Sequence, residues 1–542
     1  MNQTGKPWLK QYPGDVKTEI EVPDITLNEL FEQAVDRFPE HDALSFYGLT
    51  TRYQELSSQI NRLASALQQD GIKKSDRIAL MLPNCPQYII SYYATLKIGA
   101  TVTQVNPMLV ERELEFLLND SGAETIVIYD AVYPVLKKIQ ANTAVKNVIV
   151  VSLLPNEKTF EPDRKFDTVL ESGTGQLKNP DINPEKDVAI LQYTGGTTGR
   201  SKGAMLTHRN IVANTLQVTE FFKHSSEFGK ESILTVLPLF HVFGMTSCMN
   251  YGLYLGAKLI LLPRFEVEEV LNTVKKEQPS FFPGVPTMYI AIANHPNAEN
   301  YNIDSIRTCN SGGSAMPLEV MKKYEAKTGA QVLEGYGLSE TSPVTHANPA
   351  FAERKPGSIG IPLPSTEYKI VDIATGKEEM SDGEEGEIII RGPQVMKGYW
   401  NMPEETEKTL RDGWLYTGDI ARMDEDGYAY IVDRKKDMII ASGYNIYPRE
   451  VEEVLYLHPS IVEAAVIGVP DKYRGETVKA VVVLKEGEAA DSEAIIAHCQ
   501  KYMAAYKVPK LVEFREELPK STVGKILRRS VREAETAGKA GS

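Results

Sequence analysis

Cysteine is scarce: only four, at positions 85, 248, 309 and 499, occur in 542 residues. They lie far apart and form no CxxC, which leaves no support for a zinc ribbon or a dithiol redox pair. Buried free thiols in a reducing compartment are the expected state. A basic surplus is also missing. Lys and Arg number 59 against 73 Asp and Glu, a formal net charge of −14. An acidic balance argues against a duplex nucleic-acid binder and against tight docking on anionic membrane, although a local basic patch fits inside the average. The opening residues hold no apolar core of signal-peptide length, so no secretory leader is expected. Long apolar runs are few. Residues 78–96 and 232–257 carry no Lys, Arg, Asp or Glu. The first is interrupted by Pro83, Asn84, Pro86 and Gln87, the second by Pro238, His241, Gly244, Asn250, Gly252 and Gly256. Both read as buried core or pocket wall, because a spanning helix needs about 20 mainly apolar residues.

What remains is an ordinary folded chain, 42% hydrophobic and 24% charged, long enough for about three or four domains. Leu27, Leu30, Phe31, Ala34, Val35 and Phe38 recur at helical spacing, and Thr26 with Glu29 forms a capping-box pattern. A second helix carries Tyr53, Leu56, Ile60, Leu63, Ala64 and Leu67 on one face. Strand patterns at 77–82, 101–105, 125–129 and 147–152 then alternate with helical ones at 87–97 and 111–118. Alternation of this kind predicts βαβ crossovers and parallel sheets flanked by helices. The polar stretch 156–186 reads as a surface excursion. Strand patterns resume at 188–193, 258–262, 280–282 and 306–309. After Lys355 short strands such as 367–372 and 387–391 suggest antiparallel sheet. The last hundred or so residues mix strands (462–469, 479–484) with helices (450–457, 492–502), and the tail after Arg532 is expected to be mobile. The fold class is therefore α/β: a large N-terminal domain of parallel-rich sheets with flanking helices and a small antiparallel sheet or barrel, then a small α+β C-terminal domain. The division falls at 1–435 and 436–542.

The strongest chemical signal is Tyr193-Thr-Gly-Gly-Thr-Thr-Gly-Arg-Ser-Lys-Gly203, directly after a strand. Glycines let backbone N–H groups turn toward an anion, hydroxyls add donors, and Lys202 adds charge. That chemistry suits polyphosphate. The pattern is not a Walker loop, since Ser201 precedes Lys202 and Gly203 follows it. A second motif is Gly335-Tyr-Gly-Leu-Ser-Glu340, where an aromatic between glycines can present its face to a base and Glu340 can hold Mg²⁺. A third is Asp412-Gly-Trp-Leu-Tyr-Thr-Gly-Asp419, whose final carboxylate can accept ribose hydroxyls. A fourth is Leu518-Pro-Lys-Ser-Thr-Val-Gly-Lys525-Ile-Leu-Arg-Arg529. Each of the last three alone also fits a bland role: a core tyrosine, a cap, a solvated lysine.

In this order, over nearly the whole chain, the four motifs resemble the adenylate-forming superfamily of acyl-CoA synthetases, firefly-type luciferases and adenylation domains. Asp433-Arg-Lys-Lys-Asp437, Arg391-Gly-Pro-Gln-Val-Met396 and Tyr506-Lys-Val-Pro-Lys510 are similar to the fatty-acyl-CoA synthetases within it. The phosphate loop departs twice, with Gly195 where the family often has Ser and Ser201 where it often has Pro. The resemblance implies ATP-dependent ligation of a medium- or long-chain fatty acid to coenzyme A through an acyl-adenylate, with an aryl acid such as coumarate as the alternative. It implies ATP, Mg²⁺ and coenzyme A as cofactors and co-substrates. It also implies an N-terminal domain that holds acid, ATP and metal, and a mobile C-terminal domain that carries a catalytic lysine. Under it Thr194, Gly195, Gly196, Thr197, Thr198, Gly199 and Lys202 hold phosphates, with Gly312, Tyr336, Gly337 and Ser339 around the nucleotide. Thr197 and Glu340 hold the metal. Asp419 and Arg434 hold the ribose, Lys525 bridges carboxylate and phosphate, and His241 lies at the carboxylate, or else is a packed core histidine. The C-terminal domain turns about Lys436 and brings Ser442, Gly443 and Tyr444 to the coenzyme A tunnel. The expected location is the cytoplasm. Contact with the inner face of a membrane and a homodimer are left open.

Overall fold

The computed structural model describes residues 6–154, 159–194, 201–441, 444–471, 473–521 and 524–540. Among these residues the strands form four sheets. One sheet runs Ile361–Pro362, Val344–Ala347, Gln331–Gly337, Thr308–Ser311, Phe281–Gly284, Ser232–Thr235, Lys258–Leu261, Asp42–Phe46, Leu49–Arg52. Its six inner strands from Gln331–Gly337 to Asp42–Phe46 are parallel, and only the edges turn antiparallel. A second runs Gly398–Tyr399, Lys202–Thr207, Val188–Thr194, Thr101–Gln104, Arg77–Met81, Thr125–Tyr129, Asn147–Val151, Arg164–Lys165. It too is parallel from Val188–Thr194 onward. Helices between the strands cover both sheets, as a parallel sheet requires.

The helices form where sequence periodicity places them. Leu27–Arg37 starts on the capping box: the Glu29 N–H donates to Thr26 Oγ1 at 3.2 Å, and the Thr26 N–H to Glu29 Oε2 at 2.7 Å. Leu27, Leu30, Phe31 and Ala34 are buried on its inner face. Caps of this kind are worth about 1 kcal/mol, and burying each large side chain about 2 kcal/mol. The uncharged stretch 232–257 folds as a strand, a π-helix at Gly244–Asn250 and a short helix at Tyr251–Tyr254. Every residue of the π-helix is buried. No helix among the described residues is long and apolar enough to cross a membrane.

The third sheet is antiparallel: Glu367–Val371, Gly386–Arg391, Trp414–Met423 and Leu410–Arg411, with Ala429–Arg434 paired to Trp414–Met423. The fourth holds Tyr444–Ile446, Ile439–Ala441, Gly475–Leu484 and Ile461–Asp471, with Leu511–Phe514 parallel to Gly475–Leu484. Its apolar faces pack into two clusters built from residues 439–531, separate from the core spanning residues 8–429. Two features go beyond what the sequence patterns suggest. The excursion at 156–186 contains a helix, Phe166–Ser172, which buries Phe166 and Val169. The tail is helical from Arg528 to Ala540, since Val531 is buried and Glu535 pairs with Lys479.

Candidate active site

The glycine- and threonine-rich motif joins two paired strands. Val188–Thr194 enters and Lys202–Thr207 leaves antiparallel, with Thr194 opposite Lys202. Gly195, Gly196, Thr197, Thr198 and Gly199 lie outside the described residues. On the other edge of Lys202–Thr207, Tyr399 pairs with Ala204. The Lys202 ammonium stands 5.1 Å from the Tyr399 ring centroid, a cation–π distance. The Tyr399 hydroxyl donates to Glu340 Oε1 at 2.6 Å, and the Met396 N–H donates to the Glu340 carbonyl at 2.8 Å. Lys202 Nζ also pairs with Glu405 Oε2 at 2.7 Å. One tyrosine thus links the lysine of the first motif to the carboxylate of the second. Neither Tyr399 nor Glu405 stood out in the sequence, because nothing in a linear pattern reports that a distant strand will pair beside Lys202.

Glu340 lies in the turn Ser339–Thr341, after the strand Gln331–Gly337. At Gly337 a Cβ would come within 2.2 Å of the Pro343 carbonyl oxygen, so this crossing admits only glycine. One residue earlier, the Tyr336 hydroxyl donates to Asp419 Oδ2 at 2.5 Å. Asp419 faces Arg434 across the paired strands Trp414–Met423 and Ala429–Arg434, with Arg434 Nε 3.7 Å from Asp419 Oδ1. Burial, then the Asp419 charge, holds the Tyr336 phenol well above its ordinary value. It is therefore a donor at neutral pH. Tyr336, Asp419 and Arg434, each weak alone, form one constellation.

Lys525 reaches this constellation from the far end of the chain. Its turn is closed by the Ser521 N–H to the Lys525 carbonyl at 2.7 Å and the Lys525 N–H to Ser521 Oγ at 3.1 Å. Thr287 Oγ1 donates to the Gly524 carbonyl at 3.3 Å, which seats the turn on the large N-terminal unit. Burial, then the neighbouring Arg434, lowers the Lys525 ammonium to about 7, against a smaller opposing pull from Asp419. His241 faces the same space. Burial, then the Lys525 charge, lowers its imidazole to about 4. Its Nδ1 accepts the Phe243 N–H at 3.2 Å, so the neutral ring carries its proton on Nε2.

Lys436 sits in the turn that follows Arg434. The Asp437 and Met438 N–H groups donate to the Arg434 carbonyl at 2.9 and 3.2 Å. Burial, then Arg434, lowers the Lys436 ammonium. Arg528 ties this turn to the C-terminal helix: Nη1 lies 2.8 Å from Asp433 Oδ1, and Nη2 lies 2.5 Å from Glu452 Oε2. Asp433 also accepts the Arg449 N–H at 2.8 Å. Ser442 and Gly443 lie outside the described residues. Tyr444 is exposed and stacks on Tyr506, ring centroids 4.8 Å apart, away from the Lys525 constellation in its contacts. A slot beside Gly312 is narrower than its missing side chain suggests, since a Cβ there would lie 3.1 Å from the Phe243 ring.

The arrangement offers cations for phosphate, a carboxylate beside them, a donor–acceptor pair for a diol, and a buried ammonium between the two units. Comparison with known proteins matches this chemistry. The model of the AMP-binding enzyme family matches residues 31–400, and that of the AMP-binding enzyme C-terminal domain matches residues 450–525. A long-chain-fatty-acid–CoA ligase of Bacillus subtilis strain 168 is 48% identical over 98% of this chain and 99% of its own. One from Escherichia coli O157:H7 is 41% identical over 98% and 99%. The crystal structure of an anthranilate CoA ligase in complex with anthranoyl-AMP superposes with a TM-score of 0.89 at 27% identity, covering 96% of this chain and 99% of that one.

Proposed function

The chain belongs to the AMP-binding enzyme family, and on that premise we propose that it joins a medium- or long-chain fatty acid to coenzyme A through an acyl-adenylate, releasing AMP and pyrophosphate. The observation that carries the reading is Lys525, delivered from the small C-terminal unit into the space shared by His241, Asp419 and Arg434. A carboxylate is already an anion and needs no general base to attack the α-phosphorus of ATP. What the reaction needs is alignment of two anions and cancellation of their repulsion. Lys525 supplies charge between carboxylate and α-phosphate. Lys202 supplies it at the outer phosphates. Asp419 accepts from the ribose hydroxyls, with the Tyr336 hydroxyl and Arg434 fixing its orientation.

Mg²⁺ bound by Glu340 and phosphate oxygens would add Lewis-acid charge at the triphosphate. The donor set fits it: Mg²⁺ takes one or two carboxylates, water and substrate phosphate in place of a protein cage. Among the described residues no group of three or more His, Cys, Asp and Glu could hold a metal ion. Glu340 keeps one carboxylate oxygen beyond the Tyr399 hydroxyl bond. Thioester formation follows when the C-terminal unit, residues 436–542, turns about Lys436, withdraws Lys525 and brings Ser442–Tyr444 to the acid. The two separate apolar clusters of residues 439–531 support a boundary at that point.

The uncharged, buried stretch 232–257 favours an alkyl chain over an amino acid, since no fixed charge there could hold an amino group. Each methylene buried is worth about 0.8 kcal/mol, or about fourfold in binding. Acyl-CoA formation is therefore measured with C2, C8, C12, C16 and coumarate. kcat/KM is expected to climb to a plateau at medium or long chains with acetate nearly inert. A maximum at acetate or coumarate overturns the fatty-acid reading. The Phe243 ring against Gly312 is what would favour the aryl acid.

A further inference from the structure

Lys202 is not free to meet a nucleotide. Its ammonium holds Glu405 Oε2 at 2.7 Å, with the lysine side chain 15% exposed and the glutamate 34%. Glu405 does not wander. It lies on the helix Pro403–Thr409, whose Thr406 hydroxyl accepts the Tyr399 N–H at 2.9 Å and donates to the Met402 carbonyl at 2.9 Å. Tyr399 in turn lies on the strand paired to that of Lys202. A carboxylate is thus fixed, through a short chain of bonds, at the exit of the loop that ends in Lys202. Its second oxygen meets Lys408 at 2.9 Å. Lys202, then Lys408, holds the Glu405 carboxyl down to about 2, so it stays an anion at any working pH. A fixed anion on the ammonium that the reaction needs for an anionic ligand is a competitor for that ligand.

We propose that Glu405 is a built-in counter-ion of Lys202, held on the ammonium until polyphosphate displaces it and returning to it as pyrophosphate leaves. This rests on Lys202 being a polyphosphate-binding lysine. Glu405 acts through Lys202 and is a positioning residue. It keeps the ammonium beside the Tyr399 ring, and it weakens the grip on a product that must depart. The consequence is a sign opposite to that of an ordinary site mutation: deleting Glu405 tightens the ligand.

The test is calorimetric titration of the full chain with Mg²⁺ and sodium pyrophosphate, then with ATP, for wild type, E405Q, K202Q and E405Q/K202Q. E404Q serves as a control that removes an equal charge one residue away. E405Q is expected to lower the pyrophosphate Kd by about three- to tenfold, the scale of a partly buried ion pair. KM for ATP should fall with it, and pyrophosphate release, followed by stopped flow, should slow by a similar factor. E404Q should leave the Kd unchanged, and E405Q should have no effect in the K202Q background. An unchanged or weaker Kd in E405Q overturns the proposal, as does equal tightening by E404Q or by E405Q without Lys202. If K202Q itself binds pyrophosphate as wild type does, the reading of Lys202 fails, and the counter-ion with it. The identity of the acid enters neither arm.

Discussion

Replacing Lys525 with alanine should separate the two half-reactions. Moving a lysine from its ordinary 10.5 to about 7 means up to about 5 kcal/mol against the charged form, since one pKa unit is about 1.4 kcal/mol. Residual solvent access reduces that to about 3–5 kcal/mol. The cause is burial first and Arg434 second. A carboxylate and an α-phosphate offset both, so the charge that burial disfavours becomes stabilising as the anions meet. Lys525→Ala is therefore expected to slow adenylation by about two to four orders of magnitude. Pyrophosphate release from fatty acid and ATP measures that step. Thioester formation from supplied acyl-adenylate and coenzyme A measures the other, and should change little. The same lysine sets a pH limb. Its useful form is the protonated one, present below about 7 and lost as pH rises through it. kcat/KM for adenylation, which reports the free enzyme, should decline through about pH 7, and the residual activity of Lys525→Arg should be flat from pH 7 to 9. Equal damage to both half-reactions, or an alkaline limb that survives in the arginine variant, refutes the assignment.

Lys436→Pro should leave adenylation intact, because the turn's bonds to the Arg434 carbonyl use the Asp437 and Met438 N–H groups. It should slow coenzyme A transfer, since proline fixes φ where the backbone must turn; a normal second step moves the hinge elsewhere. Asp419→Ala should raise the KM for ATP at least tenfold while the protein remains folded, and a normal KM dismisses the ribose role. Arg528→Ala strips the cation from Asp433 and Glu452, which are 2% and 13% exposed at the side chain. An uncompensated pair of this kind costs about 3 kcal/mol, read by denaturant unfolding. A loss below about 1 kcal/mol removes the anchor from the argument.

Much of this molecule was legible because local chemistry decides it. The capping box at Thr26 and Glu29, the alternating strands and helices, and the antiparallel turn-rich region after Lys355 all answer to periodicity and to side chains a few residues apart. The uncharged stretch 232–257 was read correctly as interior, although its π-helix was not legible, since a widened turn costs little that sequence spacing records. The tail helix is hidden in the sequence for a related reason. The helix beyond Arg532 is polar, and it is held by Lys479 on a strand and by one buried valine, neither of which lies in its own stretch.

The site divides along the same line. Lys202, Glu340, Asp419 and Lys525 each lie within three residues of a glycine, and glycine is visible because a backbone that must pass close to something admits nothing larger, as Gly337 does against Pro343. The residues that govern them are not marked. Glu405 holds Lys202, Tyr399 holds Glu340, and Arg528 holds Asp433, each through a contact distant in sequence that only the folded chain creates. An ion pair leaves no periodicity, and either partner alone looks like one more solvated charge among 59 bases and 73 acids. Groups proposed to touch substrate are thus announced by the backbone around them. Groups that decide when those are available, such as Glu405 on Lys202, become visible only where distances can be measured. For that reason the informative experiments on this protein pair one residue of each kind, and the coupling between the two carries the answer.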